Sequence, residues 1–137
     1  MSFLSRKGLL AIAAVVDVAL NGRDRPVSAR HLAQRHHLPA RHLEPVLQAL
    51  VHAGIFKGLR GPRGGYQLAR ERKRITVAEI LQAAGGVADE GDPPTGSRIL
   101  ELAVLPALAD PERAFATALS RLSLDEIARR AEPAPRA

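Results

Sequence analysis

The stretch "IFKGLRGPRGGYQLA", residues 55–69, is where the period of this chain changes. "IFKGL" and "GYQLA" are short runs of strand-forming residues, and the "RGPRG" between them is made of turn-formers, the pattern of a β-hairpin. The loop is a poor phosphate cradle. It lacks the Gly-Lys-Ser/Thr ending, and no helix directly follows to turn its N-terminus toward a nucleotide. A plain turn accounts for the glycines and the proline. It gives no reason for Arg60 and Arg63 at the tip, where guanidinium groups suit backbone phosphates or a narrow minor groove.

Upstream, apolar residues recur at helical spacing. "ARHLEPVLQALVHAG", 40–54, sets Leu43, Val46, Leu47, Leu50 and Val51 on one face and stops at Gly54. Pro45 removes a helical hydrogen bond, so this helix either starts late, near His42, or bends. "VSARHLAQRHHLP", 27–39, is a shorter helix capped by Ser28, with Leu32 and Ala33 facing inward and Leu38-Pro39 as its end. A first helix is expected from about Ser5 to Leu20, with Leu9, Ile12, Val16 and Leu20 in register and a break at Asn21, Gly22 and Pro26. Its "LLAIAAVVDVAL" core, 9–20, follows Arg6 and Lys7 much as a signal peptide would. It is too short to cross a bilayer, however, and is interrupted by Asp17.

Downstream, "RERKR", 70–74, returns to solvent, and Thr76 caps a short helix, "VAEILQAAG". "GVADEGDPPTGS", 86–97, is aperiodic and reads as a linker. "RILELAVLPALADPERAFATALSRL", 98–122, is helical again, with Ile99, Leu102, Leu105, Leu108, Phe115, Leu119 and Leu122 in an apolar stripe. Besides Pro106, this segment holds Asp110-Pro111-Glu112, which resembles an N-cap with a first-turn proline. A kink or restart is expected there. Ser123 caps "LDEIARRA", and "EPAPRA" is a frayed tail. The expected organisation is a winged helix-turn-helix domain over 1–84, a linker over 85–97, a helical arm over 98–131 and a tail over 132–137. The fold class is mainly α: three helices, a two-stranded wing and a long C-terminal dimerisation helix, with the third helix placed to enter a major groove. The stripe exceeds what one small winged domain covers, so the chain is expected to pair with a second copy of itself.

Charge agrees with a nucleic-acid partner. Residues 1–82 carry 14 Lys/Arg and 5 Asp/Glu (14 − 5 = +9), whereas residues 83–137 carry 6 and 9 (6 − 9 = −3). The expected DNA-contacting set is Ser28 and Arg30 on the second helix, Arg41, His42 and Glu44 on the third, and Arg60, Gly61, Arg63, Gly64 and Tyr66 in the wing. Arg41 has the chemistry to donate to guanine, and Glu44 to accept from the cytosine amino group; the plainer reading pairs Glu44 with Arg41 or leaves it in water. His31, His36, His37, His42 and His52 match no compact metal-ligand spacing, so no metal site is expected. No nucleophile–base–acid set stands out, and the serines read as caps or surface, so no enzymatic activity is expected. With no cysteine, disulfides, thiolate chemistry and cysteine-held clusters are excluded.

"VSARHLAQRHHLPARHLEPVLQALVHAGIFKGLRGPRGGYQLAR", 27–70, resembles the winged-helix repressors typified by the iron–sulfur cluster regulator, the nitric-oxide-sensing repressor and the cysteine-metabolism repressor. Carrying the likeness are the "S-x-x-x-L-A" second helix, "LE" in the third and "RGPxGGY" in the wing. The likeness is strong over 5–82 and extends more weakly to about Ile127. It implies a cytoplasmic homodimer, joined by the long helix and repressing transcription from a roughly palindromic operator in double-stranded DNA. It implies a minor-groove arginine at Arg60 and a discriminating glutamate at Glu44, with Arg41 and His42 beside it. Cluster-binding members carry three cysteines before the dimer helix; this chain has "GVADEGDPPTGS" there, so no cofactor is expected, and Asp89, Glu90 and Asp92 are read as solvated linker. Sensing would then fall to a small molecule or a protein effector. Two other readings stay open: a regulator of the same fold that acts through protein partners and no longer binds DNA, and a histidine-based metal-responsive regulator.

Overall fold

A computed structural model of the protein describes residues 4–85 and 96–132. Helix α1 spans Arg6–Asn21, its first turn capped by the Ser5 hydroxyl, which accepts the Gly8 N–H at 3.0 Å. Small and branched residues on its inner face, Ala11, Ala14, Val15 and Val18, are buried, so neighbouring elements approach closely. Helices α3 (Ala40–His52), α4 (Val77–Ala84) and α6 (Leu124–Ala131) and the strand β2 (Gly65–Leu68) all pack against it.

Helix α2, Ala29–Arg35, begins where Ser28 Oγ accepts the His31 N–H at 3.1 Å. It ends three residues before the expected Leu38-Pro39 stop. The Leu38 N–H donates to Ala33 O (2.9 Å) and the His37 N–H to Gln34 O (3.3 Å), closing the helix with His37 in the left-handed region at φ 56°. Helix α3 spans Ala40–His52 with Pro45 inside it, so it does not start late. Arg41, whose carbonyl loses its helical partner to the proline, is exposed, so that carbonyl need not be buried unpaired. Gly54, at φ 78°, closes α3 in the same way as His37 closes α2, with the Ile55 N–H donating to Leu50 O at 3.0 Å.

The expected hairpin is present: β1, Phe56–Leu59, pairs antiparallel with β2, Gly65–Leu68, with Phe56 opposite Leu68 and Leu59 opposite Gly65. A turn at Arg72–Arg74 leads to Thr76, which caps α4 (Val77–Ala84) in a reciprocal box with Glu79. Most residues of the expected linker, 86–95 including Asp89, Glu90 and Asp92, lie outside the described residues, as does the tail beyond Glu132.

One expectation for the C-terminal part needs correcting. The irregularity in the long helix is a wide turn at Leu100–Val104, where the Leu105 N–H donates to Leu100 O, and not a restart at Asp110–Pro111. Pro106 sits just after it: a proline ring clashes with the carbonyl four residues back, and a wider turn carries that carbonyl aside. Helix α5 then runs Leu105–Arg121 through Pro111, whose orphaned carbonyl partner at Ala107 is exposed. The expected arm, 98–131, ends in a further helix. Its last helix, α6 (Leu124–Ala131), buries Leu124 and Ala128 in the winged domain's core. Short backbone bonds fix its entry, Val77 N–H to Leu122 O (2.9 Å) and Leu124 N–H to Ile75 O (2.8 Å). Among the described residues no helix is long and apolar enough to cross a membrane.

Candidate nucleic-acid interface

The wing's shape follows from two glycines that tolerate no side chain. A Cβ on Gly64 would lie 2.1 Å from Leu59 O, and one on Gly65 2.4 Å from Val27 O. The second approach exists because β2 also pairs with the entry to α2: Val27 N–H donates to Tyr66 O (2.9 Å) and Tyr66 N–H to Val27 O (2.8 Å). Val27 precedes Ser28, so the backbone that begins α2 is bonded to the wing. Tyr66, expected among the DNA-contacting residues, is half-buried and lays its ring against Phe56, centroids 5.9 Å apart. Its visible role is to anchor the returning strand.

On α3 the buried residues Leu43, Val46, Leu47 and Leu50 define the inner face. At about 100° per residue, Arg41, Pro45, Gln48 and His52 lie at the middle of the opposite face, with Glu44 and His42 along its two edges. All six are exposed. Sequence reading singled out Arg41, His42 and Glu44 but missed Gln48. Its signal was available, one turn past Glu44 and two past Arg41. Among the described residues Glu44 makes no ion pair, so the reading that pairs it with Arg41 is not what the structure contains.

Not every described arginine is paired with an acid; Arg6, Arg23, Arg25, Arg98, Arg121 and Arg130 are exposed without one. Arg35, Arg70, Arg72, Arg74, Arg113 and Arg129 each hold an acid within the fold. Arg30 on α2, Arg41 on α3 and Arg60 and Arg63 at the wing tip are exposed and, among the described residues, hold none. Gly61, at φ 107°, lets the tip reverse between the last two. The helix pair is itself braced by an ionic knot that sequence reading did not find. Asp17, 6% exposed on α1, accepts two hydrogen bonds from Arg35, both 2.8 Å, and one from Asn21 at 3.1 Å; His36 Nε2 lies 3.0 Å away. Burial works against the Asp17 charge, but the Arg35 and Asn21 hydrogen bonds outweigh it and hold the carboxyl below its ordinary range.

A helix pair braced on a buried first helix, followed by a hairpin bonded to its entry, defines a winged helix-turn-helix of the transcription-regulator class. Over residues 4–130 the chain matches the Rrf2 family model, described as an iron-dependent transcriptional regulator, and it belongs to that family. It is 40% identical over 80 residues to an HTH-type transcriptional regulator of Haemophilus influenzae, a match covering 58% of this chain and 53% of that one. The regulator IscR of Photorhabdus laumondii is 33% identical over 131 residues, 90% of this chain and 77% of that protein. The matched region thus spans about half of the first relative and most of the second. Among solved structures, T. potens IscR superposes with a TM-score of 0.76 at 28% identity, covering 97% of this chain and 90% of that one. CymR, the global cysteine regulator of B. subtilis, gives 0.73 at 25% identity, covering 94% and 98%.

The family's iron dependence meets an obstacle in this chain. It has no cysteine, so a thiolate-held cluster does not fit it. Among the described residues no three His, Asp or Glu side chains converge as metal ligands. His36 is committed to Asp17, and His31, His37, His42 and His52 stand exposed.

Proposed function

We propose that the protein is a cytoplasmic, sequence-specific DNA-binding repressor that acts as a homodimer on a palindromic operator and carries no iron–sulfur cluster. One observation carries the reading. Arg30 on α2, Arg41 on α3 and Arg60 and Arg63 at the wing tip are exposed on the helix-turn-helix and its wing, and among the described residues none of them holds an acid. In this reading α3 enters the major groove with Arg41, Glu44 and Gln48 facing base edges and His42 at the margin. Arg60 and Arg63 reach the adjacent minor groove; Gly61 and Gly64 shape the tip that carries them. Ser28 and Arg30 meet phosphates at the start of α2.

The dimer half of the reading rests on the arm. Ile99 is 75%, Leu102 69% and Leu108 48% exposed in the protomer, and Val104 and Leu105 are exposed beside them. Phe115, Leu119 and Leu122, further along the stripe, are half-buried as α5 packs against α4. The unburied end suits the same stripe of a second copy.

The test is fluorescence anisotropy with DNA from the promoter of the protein's own gene, across a salt series. Arg60→Ala is expected to weaken binding by roughly tenfold and to lower the salt slope by about one. Binding without salt dependence, or an unchanged Arg60→Ala affinity, would remove the wing from the interface.

A further inference from the structure

On the protomer surface, with no lining residue from α2 or α3, a cleft of about 630 Å³ opens between the end of α1, the base of the wing and α6. Its floor includes Val18 and Ala19, and three cations reach its rim from separate elements: Arg23 after α1, Lys57 on β1 and Lys73 in the turn before α4. All three are exposed, and among the described residues none forms a hydrogen bond or an ion pair, though Lys73 lies close enough to Asp125 to favour its charge. One wall is already saturated. There Arg72 donates to Asp125 (2.6 Å) and Glu132 (2.7 Å), and Arg129 pairs with Asp125 at 2.9 Å. Glu71, the other acid lining the cleft, lies 3.9 Å from Arg74, so the cations without an ion pair are Arg23, Lys57 and Lys73.

We propose that this cleft binds a small, multiply charged oxyanion, a dicarboxylate, tricarboxylate or phosphate ester, between Arg23, Lys57 and Lys73. The volume is that of a metabolite site. A duplex is too broad to enter such a concavity. Converging cations on a partly apolar floor give both charge neutralisation and charge-assisted hydrogen bonds. The position also suits an effector. Gln67, which lines the cleft, donates to Gly22 O at 3.0 Å and so ties the wing base to α1. An anion there would link the wing to α6, the helix that follows the arm.

The experiment is isothermal titration calorimetry of the full chain with citrate and with inorganic pyrophosphate as probes, at constant ionic strength. Saturable 1:1 binding is expected for the wild type, weakened at least tenfold by Lys57→Ala together with Lys73→Ala. Both lysines are exposed, so an unchanged melting temperature confirms that the variant is folded. Equal heats from wild type and variant, or heats no greater than those of chloride, would overturn the proposal. The variant's affinity for promoter DNA separates two sources of phosphate. DNA affinity within about threefold of wild type is expected; a tenfold loss of DNA affinity with citrate binding retained would assign these lysines to backbone phosphates instead. Because the anion is read directly, absence of DNA binding would defeat the repressor reading without touching this one.

Discussion

Single backbone atoms decide where the wing stands. Gly65 is opposite Leu59 in the hairpin and also against Val27, and a methyl group there would overlap the Val27 carbonyl. Gly65→Ala is expected to cost about 2 kcal/mol, the usual scale of overpacking, and to detach β2 from the α2 entry. Denaturant unfolding measures the loss, and amide exchange at Tyr66 and Val27 should report the detachment. His37 presents the opposite case. It is an exposed, non-glycine residue at φ 56° in the turn between α2 and α3. Left-handed geometry costs such a residue about 1–2 kcal/mol, more than the extra chain entropy of about 0.5–1 kcal/mol that glycine loses on folding. His37→Gly is therefore expected to raise stability by roughly 0.5–1 kcal/mol, visible as a higher denaturation midpoint. An unchanged midpoint would mean the histidine side chain compensates in the folded state.

Between elements, the Asp17–Arg35 bond is the contact that fixes α2 against α1. Its pH dependence follows from the sign of the carboxyl shift. The folded pKa is held below the ordinary carboxyl value, so the stabilisation is complete above about pH 4 and is lost as the pH falls through the depressed folded value. Asp17→Asn keeps the shape and removes the charge. Relative to wild type it is expected to be destabilised at pH 7 by about 2 kcal/mol, with Arg35, whose side chain is 43% exposed, turning to solvent. In urea unfolding the gap between the two proteins should narrow as the pH falls below the ordinary carboxyl range; a constant gap would show that the charge contributes nothing. This knot helps α2, only seven residues long, to hold its place beside α3.

For the whole molecule, the decisive quantity is how much of the arm remains apolar and open. Leu102 is 69% exposed in the protomer, so Leu102→Glu leaves the fold of one chain intact. If the proposed dimer forms through this stripe, the variant should scatter light as a monomer at micromolar concentration and bind a palindromic operator at least tenfold more weakly. A dimeric variant would move the interface elsewhere. Helix α6 is not part of that exposed surface. Leu124 and Ala128 close the winged domain's core, so removing the chain from Ser123 onward would expose the core as well as shorten the protein.

The sequence alone determined the order of elements, because their signals are local: Ser28, Thr76 and Ser123 are strong caps, Gly54 ends a helix, and Gly and Pro surround the hairpin turn. It also determined the charge asymmetry and, through the missing cysteines, the exclusion of a thiolate-held cluster. What it left open depends on residues far apart in the chain. Asp17 looked like a flaw in an apolar run until Arg35, 18 residues on, came to meet it. "RERKR" read as solvated until Arg72 met Asp125, 53 residues away. The assignment of α6 to the core, the bond between Val27 and Tyr66 and the cation-rimmed cleft likewise arise only when distant segments pack. Periodicity reports which face of an element is apolar; only the tertiary structure decides which charges are used within the fold and which remain for a partner.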